Sequence, residues 1–106
     1  MERQNQRDET YTLGLWTVKP GKENEFVDQW TAFAKWTSKN FSEAKKAYLL
    51  QDEKNSLRFI SFGPWTNENA IQKWRDSTEF KDFVVTVKEV CNDFQPNTLK
   101  PVSSSK

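Results

Sequence analysis

The stretch from Leu57 to Phe80, LRFISFGPWTNENAIQKWRDSTEF, decides the fold. Its first residues alternate with a β-branched or aromatic side chain at nearly every second position, which predicts a strand covered at least partly on both faces. Gly63 and Pro64 are predicted to end this strand. Thr66 is predicted to cap a short helix because its hydroxyl can accept a free backbone N–H, and Ser77 to cap another. The stretch therefore predicts the passage from a sheet to the layer that covers it.

The segments before this stretch are predicted to form one helix and two strands. Residues 10–18 are apolar on both sides of a period-two pattern, which predicts a strand in the centre of a sheet. After Pro20 and Gly21, an acidic first turn and an apolar stripe predict a helix from about residue 23 to 38. Residues 45–51 form a second predicted strand, and residues 52–55 a hairpin into the central stretch.

The segment after Ser77 has the most regular helical stripe in the chain. Its apolar positions run from Phe80 through Cys91 to Phe94, so a helix is predicted up to Pro96. Cys91 continues the stripe and is predicted to be a small buried hydrophobe rather than a reactive thiol. Residues 98–102 are predicted to form a short strand at a sheet edge, because Pro101 lacks a backbone N–H.

The order strand, helix, strand, strand, helix pair, strand is typical of the α+β, ferredoxin-like split βαβ fold. That fold is a four-stranded antiparallel sheet with helices on one face. One such domain over residues 10–102 is predicted, with a flexible arm at residues 1–9 and a tail at 103–106. The other sheet face must then be hidden, which favours a homodimer that forms through this open sheet face.

Composition favours a small core shared between subunits. The chain has 106 residues, of which 35% are hydrophobic and 14% aromatic, so a few large side chains must supply the buried area. Its formal net charge is +1 without blocks of like charge, and no basic RNP-like strand is present, so nucleic acid is not an expected partner. The start lacks the apolar core of a secretory signal, and no apolar run reaches membrane-spanning length. With a single cysteine, these features predict a cytoplasmic protein.

The lack of histidine limits the possible chemistry. It removes the commonest neutral metal ligand and the side chain best suited to proton transfer near neutral pH. The chain also lacks clustered cysteines and a glycine-rich phosphate loop, so neither a metal nor a cofactor is predicted.

The central stretch resembles the antibiotic biosynthesis monooxygenase (ABM) family. A strand that ends in Trp65, the polar turn, the helix with Trp74 and the closing STEF carry the resemblance, together with LGLWTVKPGKENEF at residues 13–26 and YLLQD at 48–52. The resemblance covers about residues 11–102 and implies a dimeric α+β barrel. It also implies a cofactor-free oxygenase of anthrone-like phenols, in which the deprotonated substrate reacts with oxygen.

Haem-degrading relatives also resemble this chain at the strand-exit tryptophan. They carry a histidine and an asparagine at positions that an ungapped count places at Val84 and Gly14. Neither side chain is present here, and haem iron needs an axial ligand, so haem breakdown is not expected.

Five residues are candidates for binding a small aromatic ligand: Trp65, Trp16, Tyr48, Arg58 and Arg75. Only Trp65 carries over from the family by position. Four of them also have simpler interpretations: Trp65 and Trp16 suit the core, since large aromatics dominate small cores, and Tyr48 and Arg58 suit an edge or a surface. Trp30 lies on the apolar stripe of its helix, whereas Trp36 falls off it and is exposed or at an interface. Two functions therefore stay open, a monooxygenase and a non-catalytic or stress-related small-molecule binder, and no catalytic residue is identified.

Overall fold

The computed structural model describes residues 9–105, which form a four-stranded antiparallel sheet and three helices. The elements are β1 (Thr10–Val18), α1 (Glu23–Asn40), β2 (Tyr48–Asp52), β3 (Asn55–Trp65), α2 (Glu68–Asp76), α3 (Thr78–Val87) and β4 (Cys91–Leu99). The strand order is β2-β3-β1-β4, so β1 is central as its two-sided apolar pattern predicts. The predicted ferredoxin-like α+β fold is confirmed. The predicted arm lies, apart from Glu9, outside the described residues.

The pairing register divides the sheet side chains between two faces. Trp16 pairs with Phe59 and Thr10 pairs with Trp65, and all four are buried. This face lies under the helices, because Trp16 and Phe59 share a core cluster with Phe26 of α1. The alternate positions lie on the other face, here called the open sheet face, where apolar side chains from all four strands align: Tyr11, Leu13, Leu15, Tyr48, Leu50, Ile60, Phe62 and Leu99.

Strand β3 runs three residues beyond Phe62, where its alternating pattern is predicted to end. Gly63 and Pro64 were expected to end it, but both pair with β1. Gly63 is needed where the chain packs closely, since a Cβ there would lie 2.9 Å from the Cβ of Ala47. The carbonyl of Pro64 accepts a hydrogen bond from Lys45 N at 2.9 Å, on the side of β3 that faces away from β1. The N–H and C=O of one residue in an antiparallel strand point to the same side, so the N–H that proline lacks would not have bonded to β1. The ladder with β1 is therefore intact.

The helix predicted between Ser77 and Pro96 is too long. Helix α3 ends at Val87, a turn follows, and residues 91–99 form β4 against β1. The spacing of Val87, Val90, Cys91 and Phe94 fits a helical stripe, yet all four side chains pack on the same core after the chain reverses. Local periodicity alone does not reveal such a reversal.

The edge strand is confirmed, but its predicted bounds at residues 98–102 are wrong. Strand β4 pairs only with β1 among the described strands, and it ends at Leu99, before Pro101. The proline inside it is Pro96, opposite Gly14. An edge strand tolerates a proline because only one side of it must form a ladder.

Other bounds differ by a few residues. Helix α1 extends to Asn40, two residues beyond the predicted end, and β2 begins at Tyr48 rather than residue 45. The hairpin before β3 is confirmed. None of the helices within residues 9–105 is long and apolar enough to cross a membrane.

The cap of α2 is Asn67 and not the predicted Thr66. The side-chain oxygen of Asn67 accepts from Asn69 N at 2.7 Å. Because β3 continues to Trp65, the N–H of Thr66 is still bound to the Glu43 carbonyl, at 3.0 Å. Ser77 caps α3 as predicted, accepting from Phe80 N at 3.1 Å.

The cap assignment predicts unequal effects at two adjacent positions. Asn67→Ala should lower the free energy of unfolding by about 1 kcal/mol, since the substitution removes the capping acceptor. Thr66→Ala is the matched control and should change it by less than about 0.5 kcal/mol. Urea unfolding followed by circular dichroism measures both. A larger loss in Thr66→Ala than in Asn67→Ala would show that the cap is misassigned.

Candidate functional site

A cavity of about 840 Å³ lies between the helices and the helix-facing side of the sheet. All five tryptophans of the chain line it: Trp16, Trp30, Trp36, Trp65 and Trp74. Phe33, Phe80, Phe83 and Phe94 complete a largely aromatic wall. The volume lies in the range of small-molecule sites, which are mostly apolar with a few placed polar groups.

Part of the sheet side of the cavity is a contact between Trp16, Gly14 and Ser61. Trp16 Nε1 donates a hydrogen bond to Ser61 Oγ at 3.0 Å, and its ring stacks on Phe94 with centroids 4.0 Å apart. A Cβ on Gly14 would lie 2.8 Å from Trp16 Nε1 and 2.9 Å from Ser61 Oγ. Gly14 therefore gives the indole its space, and a larger side chain at this position would displace it.

Two further indoles are held by threonine hydroxyls. Trp65 Nε1 donates to Thr12 Oγ1 at 3.3 Å, and Trp74 Nε1 donates to Thr37 Oγ1 at 2.9 Å. The two rings contact each other, with centroids 5.1 Å apart. Since a buried indole N–H needs an acceptor, these bonds fix both rings as walls.

Helix α1 contributes a stack of aromatic rings. Phe33 lies nearly parallel to Phe83, with centroids 4.3 Å apart, and stacks on Trp36 at 5.5 Å. Trp36, which sequence alone leaves as exposed or at an interface, is half-buried and lines the cavity. Trp30, predicted to be core, is half-buried and packs against the core cluster.

Arg75 of α2 is half-buried and lines the cavity, where its Nη2 donates to the Asn97 carbonyl at 3.4 Å. Burial lowers the pKa of this guanidinium from its ordinary value, although the group stays charged at neutral pH. Four lysines also line the cavity: Lys35, Lys39, Lys45 and Lys46.

The structure brings three of the five sequence-predicted residues together. Trp16, Trp65 and Arg75 line the cavity. Tyr48 lies on the open sheet face, where it stacks on Phe62 with centroids 5.7 Å apart. Arg58 pairs with Thr17 and so also points away from the helices.

Sequence reasoning missed Ser61, Phe33 and Phe83. The alternation along β3 already places Ser61 on the face of Phe59, but its pairing with Gly14 is seen only in the structure, because no hairpin joins β1 to β3. The ring stack between α1 and α3 has no sequence signal beyond apolar spacing.

Cys91 lies outside this wall and is buried, as predicted. Burial raises the pKa of its thiol to about 11, partly offset by nearby Lys19, so the thiol is protonated at neutral pH. Within residues 9–105 there is no group of three His, Cys, Asp or Glu side chains placed to hold a metal.

Comparison with solved structures finds the same fold in several proteins. SnoaB, a cofactor-independent oxygenase from Streptomyces nogalater, matches with a TM-score of 0.83 and 14% identity over 92% of this chain and 97% of its own. A conserved protein of Methanosarcina mazei matches at 0.80, with 16% identity over 91% and 95% of the two chains. A Mycobacterium tuberculosis protein matches at 0.78, with 12% identity over 92% and 99%. At these identities the likeness shows the fold alone.

A search of curated proteins finds no match. The family model of the antibiotic biosynthesis monooxygenases matches residues 11–86, which span β1 to the end of α3 and most of the cavity wall. The chain therefore belongs to the antibiotic biosynthesis monooxygenase family.

Proposed function

We propose that this protein is a cofactor-independent monooxygenase of an aromatic or quinone-like small molecule, which it binds in the cavity between sheet and helices. The observation that carries the proposal is the cavity itself, about 840 Å³ with all five indoles in its wall. Membership in the monooxygenase family supports an oxygenase, and flat aromatic walls suit a flat aromatic substrate.

The proposed reaction requires only substrate and dioxygen. A methylene flanked by phenol rings loses a proton to water. The resulting carbanion transfers its electrons to dioxygen to form a C–O bond, and the peroxide anion takes a proton back from water to give a hydroperoxide. The hydroperoxide then loses water and leaves a carbonyl. One oxygen atom enters the product and the other enters water, so a CH₂ group plus O₂ gives a C=O group plus H₂O.

The polar groups of the cavity suit an anionic intermediate. Ser61 Oγ accepts the indole N–H of Trp16, which leaves its own hydrogen to donate, and it has no acceptor among the described residues. Arg75 supplies a partly buried positive charge. We propose that these two groups bind the phenolate oxygen, while Trp16 and Trp65 hold the rings. Tyr48 and Arg58 have no such role in this proposal unless a second subunit brings them near.

The same cavity also suits a non-catalytic or stress-related binder. No carboxylate and no histidine lines it within residues 9–105, so no side chain there is an ordinary general base. In this alternative the ligand binds between the indoles and leaves unchanged.

Oxygen uptake distinguishes these functions. With a panel of anthrones, the protein should consume oxygen faster than the no-protein control, and oxygen-18 gas should label one carbonyl of the product. Ser61→Ala should lower kcat by about tenfold or more, since it removes a donor to the anion. Ser56→Ala, an exposed serine on the same strand, is the matched control and should leave kcat unchanged. Tryptophan quenching by the panel without oxygen uptake above the control would contradict the enzyme and support the binder.

We also propose that the protein is a homodimer that forms through the open sheet face, and that it works in the cytoplasm. The apolar side chains of that face support the dimer, because they include Tyr48, Leu50 and Leu99, each close to half exposed in the single chain. The lone cysteine is consistent with a reducing compartment. Two such sheets packed face to face would complete the barrel that the family resemblance implies.

The dimer proposal predicts a mass of about 25 kDa, twice 12.5 kDa, in sedimentation at micromolar concentration. Leu50→Glu should shift the protein towards monomer, because it places a charge in the proposed interface. Leu50 is 49% exposed in the single chain, so the substitution should leave the fold of each subunit intact. Val85→Glu, at a 62% exposed valine on α3, is the matched control and should leave the dimer intact. A wild-type protein that sediments as a folded monomer would refute the proposal.

A further inference from the structure

The charged side chains that line the cavity all have the same sign. They belong to Lys35, Lys39, Lys45, Lys46 and Arg75, although the Lys46 ammonium lies towards Tyr48, and no aspartate or glutamate of the described residues is among the lining residues. The chain as a whole is nearly balanced, with 16 basic and 15 acidic residues. The cavity is therefore positive in a protein that is close to neutral.

None of these five cations has a partner of opposite charge within 4 Å among residues 9–105. Among residues 9–105 the ion pair within 4 Å joins Lys22 to Glu25, away from the cavity. Arg75 is bound to a backbone carbonyl, and Lys46 Nζ lies 5.3 Å from the ring centroid of Tyr48. Lys35, Lys39 and Lys45 are left as exposed, unpaired ammonium groups beside an aromatic cavity.

The positions of these lysines suit binding of an anionic group at one end of a ligand. Lys35 and Lys39 are one helical turn apart on α1, and Lys45 precedes β2, where its backbone binds Pro64 of β3. Low-dielectric walls focus the field of nearby charges and raise the local concentration of an oppositely charged ligand. An anion that enters between α1 and Lys45 meets these ammonium groups, and no carboxylate of the described residues is in the cavity lining.

We infer that the cavity selects an aromatic acid, a flat polycyclic molecule that carries a carboxylate, with the rings between the indoles and the anion at Lys35, Lys39 and Lys45. This deepens the proposed function by naming a substrate class, and it rests on that function only in taking the cavity as the binding site. Charge selection holds equally for an enzyme and for a binder. The same cations favour an ionised phenol on the ligand.

Fluorescence titration with matched ligands tests the inference. Anthracene-2-carboxylate, its neutral carboxamide and the aminomethyl analogue have the same ring system and differ in charge. The carboxylate should quench tryptophan fluorescence with a Kd about tenfold or more below that of the amide at low salt, and the cation should bind most weakly. The ratio of acid to amide affinity should shrink in high salt, since exposed charges are screened.

Lysine variants locate the effect. The double variant Lys35→Gln with Lys39→Gln should lose most of the preference for the acid while it keeps its affinity for the amide. Lys81→Gln with Lys88→Gln removes the same charge from exposed positions on and just after α3, outside the cavity lining, and should leave the preference unchanged. Equal loss of preference in both double variants would overturn the assignment to the cavity lysines.

The remaining outcomes separate this inference from the proposed function. If acid and amide bind equally well to the wild-type protein, charge selection is wrong while the cavity remains a ligand site. If none of the three ligands quenches the tryptophans, the ligand site itself is refuted, and the proposed function fails with it.

Discussion

The structure depends on hydrogen bonds that hold indole rings in place around an open space. Trp16, Trp65 and Trp74 each donate an indole N–H to the hydroxyl of a serine or threonine on a neighbouring element. A small domain would ordinarily bury such rings against each other until no space remains, because apolar burial has no preferred direction. A hydrogen bond does have a direction. These bonds therefore orient the rings as walls and let a cavity persist within a domain of 106 residues.

The sequence predicts the fold well because its signals are repeated and local. Alternation in β1, the hairpin before β3 and the Ser77 cap all agree with one topology, and each is present in the structure. The errors occur where tertiary packing chooses between two local readings. Residues 87–94 fit a helical stripe, yet they turn and pair with β1, where Phe94 stacks on Trp16. Gly63 and Pro64 usually end strands, but here a close contact with Ala47 and the direction of the Pro64 carbonyl keep both in β3.

The candidate site is less predictable than the fold because it is assembled from six separate elements, all but β2, and from the segment that precedes β2. Family resemblance singles out Trp65, and alternation puts Trp16 on the same face, but neither reveals that Gly14 leaves room for the Trp16 ring. Ser61 looks ordinary in the sequence, and its importance follows only from register. The uniform charge of the cavity is equally hidden, because Arg75 is distant in sequence from the lysines and only the fold shows that Glu43, between Lys39 and Lys45, is not part of the lining. Chemistry in this fold is therefore determined by a few contacts that the scaffold itself does not specify.

Solvent exchange of the five indole N–H protons, followed by NMR, tests this account most directly. The signals of Trp16, Trp65 and Trp74 should exchange slowly, since each is hydrogen-bonded. Those of Trp30 and Trp36, which have no acceptor among the described residues, should exchange much faster. If all five indole protons exchange at the same fast rate, the rings are not fixed by hydrogen bonds, and a cavity with ordered walls is not what this chain forms.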